Sequence, residues 1–229
     1  MIDINQLHYL FKQKVNKVDS LQNINFFVEQ IDEYLNQALF VFIEQILKVA
    51  ELDQNKTEFI GELVKVVELS GTNAEKKFTA QLPDDYYRHL RSYSTVNGCS
   101  EIISNYPVQY DDLNSFLTDI NYKPSLAWKE TGYQLKGKEI VVWTNDEFLI
   151  DAVNLTYVSR HPRLGNPINS RNGSYNLPDG TAAQQQNLIL SNRNQDNIIT
   201  DIATLLVSID TTDSSYQLKL NKLIQNYVL

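Results

Sequence analysis

A single cysteine, Cys99, stands among 229 residues, and a lone thiol cannot close an internal disulfide. The three histidines are scattered too widely to complete a recurring zinc-ligand spacing with it. A chain without a disulfide framework is expected to mature in a reducing cytoplasm. No apolar run approaches the roughly 18 residues that a membrane span needs. The opening Ile2-Asp3-Ile4-Asn5-Gln6 lacks the basic and apolar regions of a signal peptide, so neither export nor a membrane anchor is expected. The eight glycines are too dispersed for a nucleotide-binding loop. Positive charge is also scarce: 20 Lys and Arg against 28 Asp and Glu leave a net charge of -8. Affinity for a phosphate backbone comes from Lys and Arg, so a nucleic-acid clamp is disfavoured and only transient, non-specific contact with DNA is expected. An acidic wall past which DNA slides without sticking is compatible with this balance.

What is present is a foldable chain. Hydrophobic residues make up 42% and charged residues 21%, as in soluble globular proteins. This length buries about 70% of its unfolded surface. Ile4, Leu7, Leu10, Phe11 and Val15 mark a short amphipathic helix, and Ile24, Phe27, Ile31, Leu35, Leu39, Phe42 and Ile46 a longer one. Asp19 or Ser20 is the expected cap of the second helix, and Phe40, Val41 and Ile43 widen its stripe. After the polar break Asp53-Gln54-Asn55, the stretch Thr57 to Leu69 reads as a short helix running into a strand. The residues Phe78 to Leu82, Tyr86 to Val96, Gly132 to Leu135, Glu139 to Thr144 and Ala152 to Val158 suit strands, with turns at Asn97-Gly98 and Lys136-Gly137-Lys138. Leu113, Phe116 and Leu117 form one face of a short helix behind Asp111-Asp112.

The expected fold class is α+β: N-terminal helices, a central antiparallel β-sheet with a short helix, and a C-terminal helix. The expected organisation is an N-terminal helical part over 1–70, a β-rich core over 71–160, an exposed loop or arm over 161–195, and a C-terminal helical segment over 196–229 packing on the core. The arm follows from Pro162, Gly165, Pro167, Gly173, Pro178 and Gly180. The last segment takes its helical faces from Ile198, Ile202 and Leu205, then from Leu218, Leu220, Leu223 and Ile224.

Catalytic chemistry finds little support. Asp84-Asp85 and Asp111-Asp112 are adjacent pairs whose side chains diverge, and helix capping accounts for them better than an acid/base dyad. His89 lies near Asp84 and Asp85, but no nucleophile motif stands beside it. Cys99 has no basic neighbourhood to activate it. The many aromatic residues, among them Tyr86, Tyr133, Trp128 and Trp143, suit sheet core and subunit contacts more simply than a stacking platform. No catalytic residue, cofactor or metal ligand is therefore assigned, and the chain reads as a non-enzyme. The remaining candidate is a partner interface. Arg160, His161, Arg163 and Arg171 fall in a stretch to Pro178 that holds no acidic residue, against an acidic background. Such a segment suits docking on an acidic neighbour or weak contact with passing DNA, and a plain solvated loop accounts for it equally well.

Three ordered fragments carry a resemblance: Leu82-Pro83-Asp84-Asp85-Tyr86-Tyr87-Arg88-His89-Leu90; Tyr110-Asp111-Asp112-Leu113 with Lys123-Pro124-Ser125; and Leu155 through Arg163. In their order and spacing they resemble the neck-ring, or head-to-tail connector, structural proteins of crAss-like phages. The resemblance covers Leu82 to Arg163 best. It implies a virion protein of the neck and tail, assembled in the host cytoplasm, forming a closed homo-oligomeric ring of about twelve copies. Its implied partners are the portal protein and adjacent neck or tail rings, and its ring would continue the DNA channel. Alternatives are another tail or capsid accessory protein, or a carbohydrate-active or cell-wall-degrading enzyme, which requires a cleft holding two carboxylates.

Overall fold

The computed structural model describes residues 1–18, 26–51, 54–98, 101–145, 147–190, 194–208 and 218–223. Apolar residues recurring at three-and-four spacing become α1 (Ile4–Val18) and α2 (Val28–Ala50). α1 buries Ile4, Leu7, Phe11 and Val15, and α2 buries Ile31, Leu35, Ala38, Phe42 and Ile46. Each fully buried side chain of this size contributes about 1.5–3 kcal/mol relative to exposure. Ile43 and Leu47 widen the α2 stripe, whereas Phe40, expected in it, is 57% exposed. The expected caps Asp19 and Ser20 lie outside the described residues. At the observed start of α2 the Gln30 side-chain carbonyl accepts the Phe27 N–H at 3.0 Å.

The chain divides into two compact units, Met1–Glu62 with His161–Leu229, and Leu63–Arg160. The helical unit thus draws on both ends of the sequence. Its third helix is α4 (Gln195–Ser208), which follows the short α3 (Leu113–Thr118) of the other unit. α4 buries Ile198, Ile199, Ile202 and Ala203. Expected to pack on the β-rich core, α4 packs on α2 and α1. Lys14 of α1 reaches across to donate to the Asn197 carbonyl at 2.8 Å and to pair with Asp201 at 2.7 Å. Helical residues 218–223 follow, with Leu220 buried, while Ile224, expected on the same face, lies outside the described residues.

In the second unit the expected central antiparallel β-sheet is closed into a barrel, with one parallel pairing. Its strands are β1 (Val64–Ala74), β2 (Lys77–Gln81), β3 (Tyr86–Val96), β4 (Ile102–Pro107), β5 (Glu130–Lys136), β6 (Glu139–Trp143) and β7 (Ile150–Ser159). They are ordered β1-β2-β6-β5-β4-β3-β7 and closed by β7 pairing with β1. A 3₁₀ helix, Gln54–Leu63, leads into β1, as expected for Thr57 to Leu69. All pairings are antiparallel except β4 with β5. Parallel neighbours need a long crossover, and residues 108–129, including α3, supply it. Gly132 of β5 lets this crossover lie close: a Cβ there would stand 2.4 Å from Val108 and 2.6 Å from the Phe116 ring.

Closure depends on β1 bending between two partners. Val64 through Ser70 pair with β7, whereas Gly71 through Ala74 pair with β2. At the changeover a Cβ on Gly71 would fall 2.2 Å from the Thr79 carbonyl oxygen, so the bend requires glycine. The β1–β2 hairpin turns through Glu75 and Lys76, both at positive φ. Without Gly or Asn at these positions, the turn carries no sequence signal. The expected turn at Lys136-Gly137-Lys138 joins β5 to β6 with Gly137 at φ +59. The barrel interior is filled by Leu69, Phe78, Ile103, Ile140, Val153 and Leu155, among others.

Candidate functional site

The four residues expected to form a basic arm are not brought together as one face. Arg160 is exposed at the end of β7, its backbone N–H held by the Asp85 carbonyl at 2.6 Å. His161 is turned inward: its Nδ1 donates to the Pro162 carbonyl, and its Nε2 accepts the Ile189 N–H at 2.9 Å. Burial pushes its pKa down, in keeping with a neutral ring that must keep Nε2 free to accept. A buried histidine tied at both nitrogens is not a docking residue, so the expectation for His161 is corrected. Arg163 lies back on α2, paired with Glu33. Arg171 is exposed, within the exposed run 171–174.

The reason the arm is not free is a carboxylate that sequence reading passed over. Asp32 of α2 is 1% exposed. One of its oxygens lies 2.7 Å from His8 Nε2, and the other accepts the Asn166 N–H at 2.9 Å and the Tyr175 hydroxyl. Four residues along the helix, Asn36 donates to the Leu164 carbonyl at 2.9 Å and accepts the Leu164 N–H at 2.8 Å. Proline and glycine content marks 161–195 as loop, but polar atoms on one face of α2 bind its backbone and make it a strap. The only sequence signal was a charged residue within the apolar stripe of a helix, since a buried charge needs partners.

The barrel unit holds a second polar cluster. His89 Nε2 lies 3.0 Å from Ser92 Oγ, and His89 Nδ1 lies 3.0 Å from the Tyr133 hydroxyl. Regular alternation sends residues three apart to opposite faces. A register shift between His89 and Arg91 brings His89 and Ser92 together. Burial lowers the His89 pKa to about 4, so the ring is neutral near pH 7. Burial also raises the Tyr133 pKa to about 12, with Tyr86 adding to the effect.

This pair has the atoms of a nucleophile and its base, but not their surroundings. Ser92 is only 4% exposed. The carboxylate expected near His89 is committed elsewhere: Asp85 binds Lys65 at 2.5 Å and the Tyr157 hydroxyl at 2.8 Å. The Lys65 bond holds the Asp85 pKa below the usual carboxylate range. Asp85 is therefore a tie between β1, β7 and the β2–β3 turn rather than a helix cap. Asp112 does stand at the N-cap of α3, without a side-chain cap bond. Cys99 lies outside the described residues.

A cleft of about 440 Å³ in the barrel unit is lined by Glu75, Lys123, Pro124, Trp143 and Glu147, among others. Both carboxylates are exposed, and Glu75 lies 3.7 Å from Lys77. An acid/base pair needs two environments that drive the carboxyl groups apart in acidity, and two solvated glutamates on a rim do not provide them. Among the described residues, no group of three or more His, Cys, Asp or Glu could hold a metal ion, and no helix is long and apolar enough to cross a membrane.

More conspicuous is what the barrel leaves uncovered. Ile102 and Tyr106 point outward from β4, and the crossover adds Tyr110, Ile120 (78% exposed), Tyr122 (70%) and Trp128 (79%). Trp128 is tied beside β4: its N–H donates to Ser125 Oγ at 3.3 Å, and the carbonyl of the next residue, Lys129, accepts the Ser104 N–H at 2.9 Å. Single exposed apolar residues are ordinary, but a concentration of large ones marks an interaction surface. No protein-family model and no curated protein matches the chain.

Proposed function

We propose that this chain is a structural subunit of a phage neck, forming a closed ring between portal and tail that continues the DNA channel. The observation that carries the reading is the row of large exposed apolar side chains that follow one another in sequence from Ile102 to Trp128, on β4 and on the crossover behind it. A ring presents each subunit with two neighbours, and a surface rich in uncovered tyrosine and tryptophan is the composition of an interface core. The row lies within Leu82 to Arg163, the stretch whose sequence resemblance to neck-ring proteins supports the reading. The net charge of -8 suits a wall that DNA passes without adhering. The subunit works by assembly: its partners are further copies, the portal and the adjoining ring.

The test is assembly of variants in that row. Trp128→Glu and Ile120→Lys are expected to leave the melting transition of the subunit unchanged, because both side chains are solvent-exposed. Each is expected to weaken self-association by about 2 kcal/mol or more, the loss typical of a central aromatic contact. Sedimentation of wild type and variants reads this directly. Identical sedimentation at all concentrations would remove the row from the interface.

A further inference from the structure

A trough of about 470 Å³ runs along α2 within the helical unit, walled on the helix by Glu29, Glu33 and Tyr34 and on the strap by Tyr175, Leu177 and Pro178. Its charges are lopsided. Glu29 and Glu33 stand one turn apart on the same face of α2. Among the described residues Arg163 is the only cation lining the trough, and its guanidinium is already paired with Glu33. Glu29 is half-buried and forms no hydrogen bond or ion pair among the described residues.

The walls around Glu29 are aromatic and fixed. Tyr34 stacks on Phe11 at 6.2 Å between centroids and meets Phe26 edge-on at 5.9 Å. The Tyr175 hydroxyl is anchored on Asp32. A half-buried carboxylate beside preorganised phenol rings attracts a cation through a charge-assisted hydrogen bond and through the ring faces. The fold itself supplies an example next door, where Arg163 sits on Glu33. The volume falls in the range of sites that hold a small ligand or a short piece of chain.

We infer that this trough binds an arginine-bearing, extended segment of a partner protein. Glu29 takes the guanidinium, Tyr34 and Tyr175 line its stem, and Leu177 and Pro178 cover the adjoining residues. Arginine fits better than lysine because its planar, weakly hydrated fork both stacks on rings and pairs with a carboxylate. The site is independent of the ring reading, since it needs one subunit only.

The experiment uses the full chain and a fluorescein-labelled heptapeptide carrying two arginines in a glycine and serine background, titrated by anisotropy at about 0.1 M salt, where long-range attraction is screened. The expected result is saturable one-to-one binding. Replacing arginine by citrulline, which keeps the shape and removes the charge, is expected to weaken it roughly tenfold, as is Glu29→Gln. Glu68→Gln, a control at an exposed carboxylate on β1, leaves it unchanged. Leu177→Lys puts a positive charge in the trough from the strap side and weakens binding without altering α2, which keeps the test valid should Glu29→Gln unfold. Equal binding of the citrulline peptide, an equal loss with Glu68→Gln, or no saturation up to millimolar protein would each overturn the inference.

Discussion

Replacing Asp32 by alanine is expected to release the strap that follows the barrel. The carboxylate is 1% exposed and serves His8 Nε2, the Asn166 N–H and the Tyr175 hydroxyl. Alanine strands three donors at once, those of His8 and Asn166 buried and that of Tyr175 partly buried. Each stranded group costs about 1–3 kcal/mol, and removing one partner of a buried charged network typically costs about 3–5 kcal/mol. Some relaxation and water entry will soften the sum, so a loss of about 4 kcal/mol is expected. Asp32→Asn keeps one acceptor and turns an NH₂ toward the remaining donors, for a loss of about 2 kcal/mol. Tyr175→Phe removes one hydrogen bond, at about 1–1.5 kcal/mol. Because Tyr175 has lost its acceptor in Asp32→Ala, the double variant should cost less than the two single losses added together. Urea unfolding gives the stabilities, and hydrogen exchange at the Leu164 and Asn166 amides reports the strap itself. A cost for Asp32→Ala below about 1 kcal/mol, with both amides still protected, would refute the view that Asp32 holds the strap.

His89 makes stability depend on pH in a definite direction. Its folded pKa of about 4 lies below the ordinary 6.5, so its contribution is complete above pH 6.5 and is lost as pH falls towards 4. The drop corresponds to about 3 kcal/mol, discounted to about 2 kcal/mol because the ring is only half-buried. Subtracting the urea midpoints of His89→Gln from wild type between pH 7 and pH 4 isolates it, and parallel curves would contradict it. His161 has the same sign: acidification below its ordinary range should deprotect the Ile189 amide, because a protonated Nε2 cannot accept its hydrogen bond. Gly71→Ala should cost more than about 2 kcal/mol, since the added carbon meets a backbone carbonyl that cannot move without parting β1 from β2. A melting temperature within a degree of wild type would show that the bend tolerates a side chain.

Local periodicity made much of this fold legible. The three-and-four spacing of Ile4, Leu7 and Phe11 and of Ile31, Leu35 and Phe42 located two helices, and Lys136-Gly137-Lys138 located a hairpin. What escaped was set by partners distant in sequence. Closure of the barrel rests on Gly71 and on β7 pairing with both β1 and β3, and no short window encodes either. Ile102–Pro107 went unread because its β5 partner follows a 108–129 crossover rather than a tight turn. The basic arm was a sound reading of composition, but composition cannot see Asp32 and Asn36 waiting on α2. Ser92 became a neighbour of His89 only through a strand irregularity that either residue type could accompany.

The central claim is ring assembly beneath a portal, and negative-stain electron microscopy with a mass measurement, on the protein alone and mixed with portal, tests it most directly. The account predicts closed rings of about twelve subunits, forming on their own or only against the portal. A monomer that remains a monomer with portal present would contradict it.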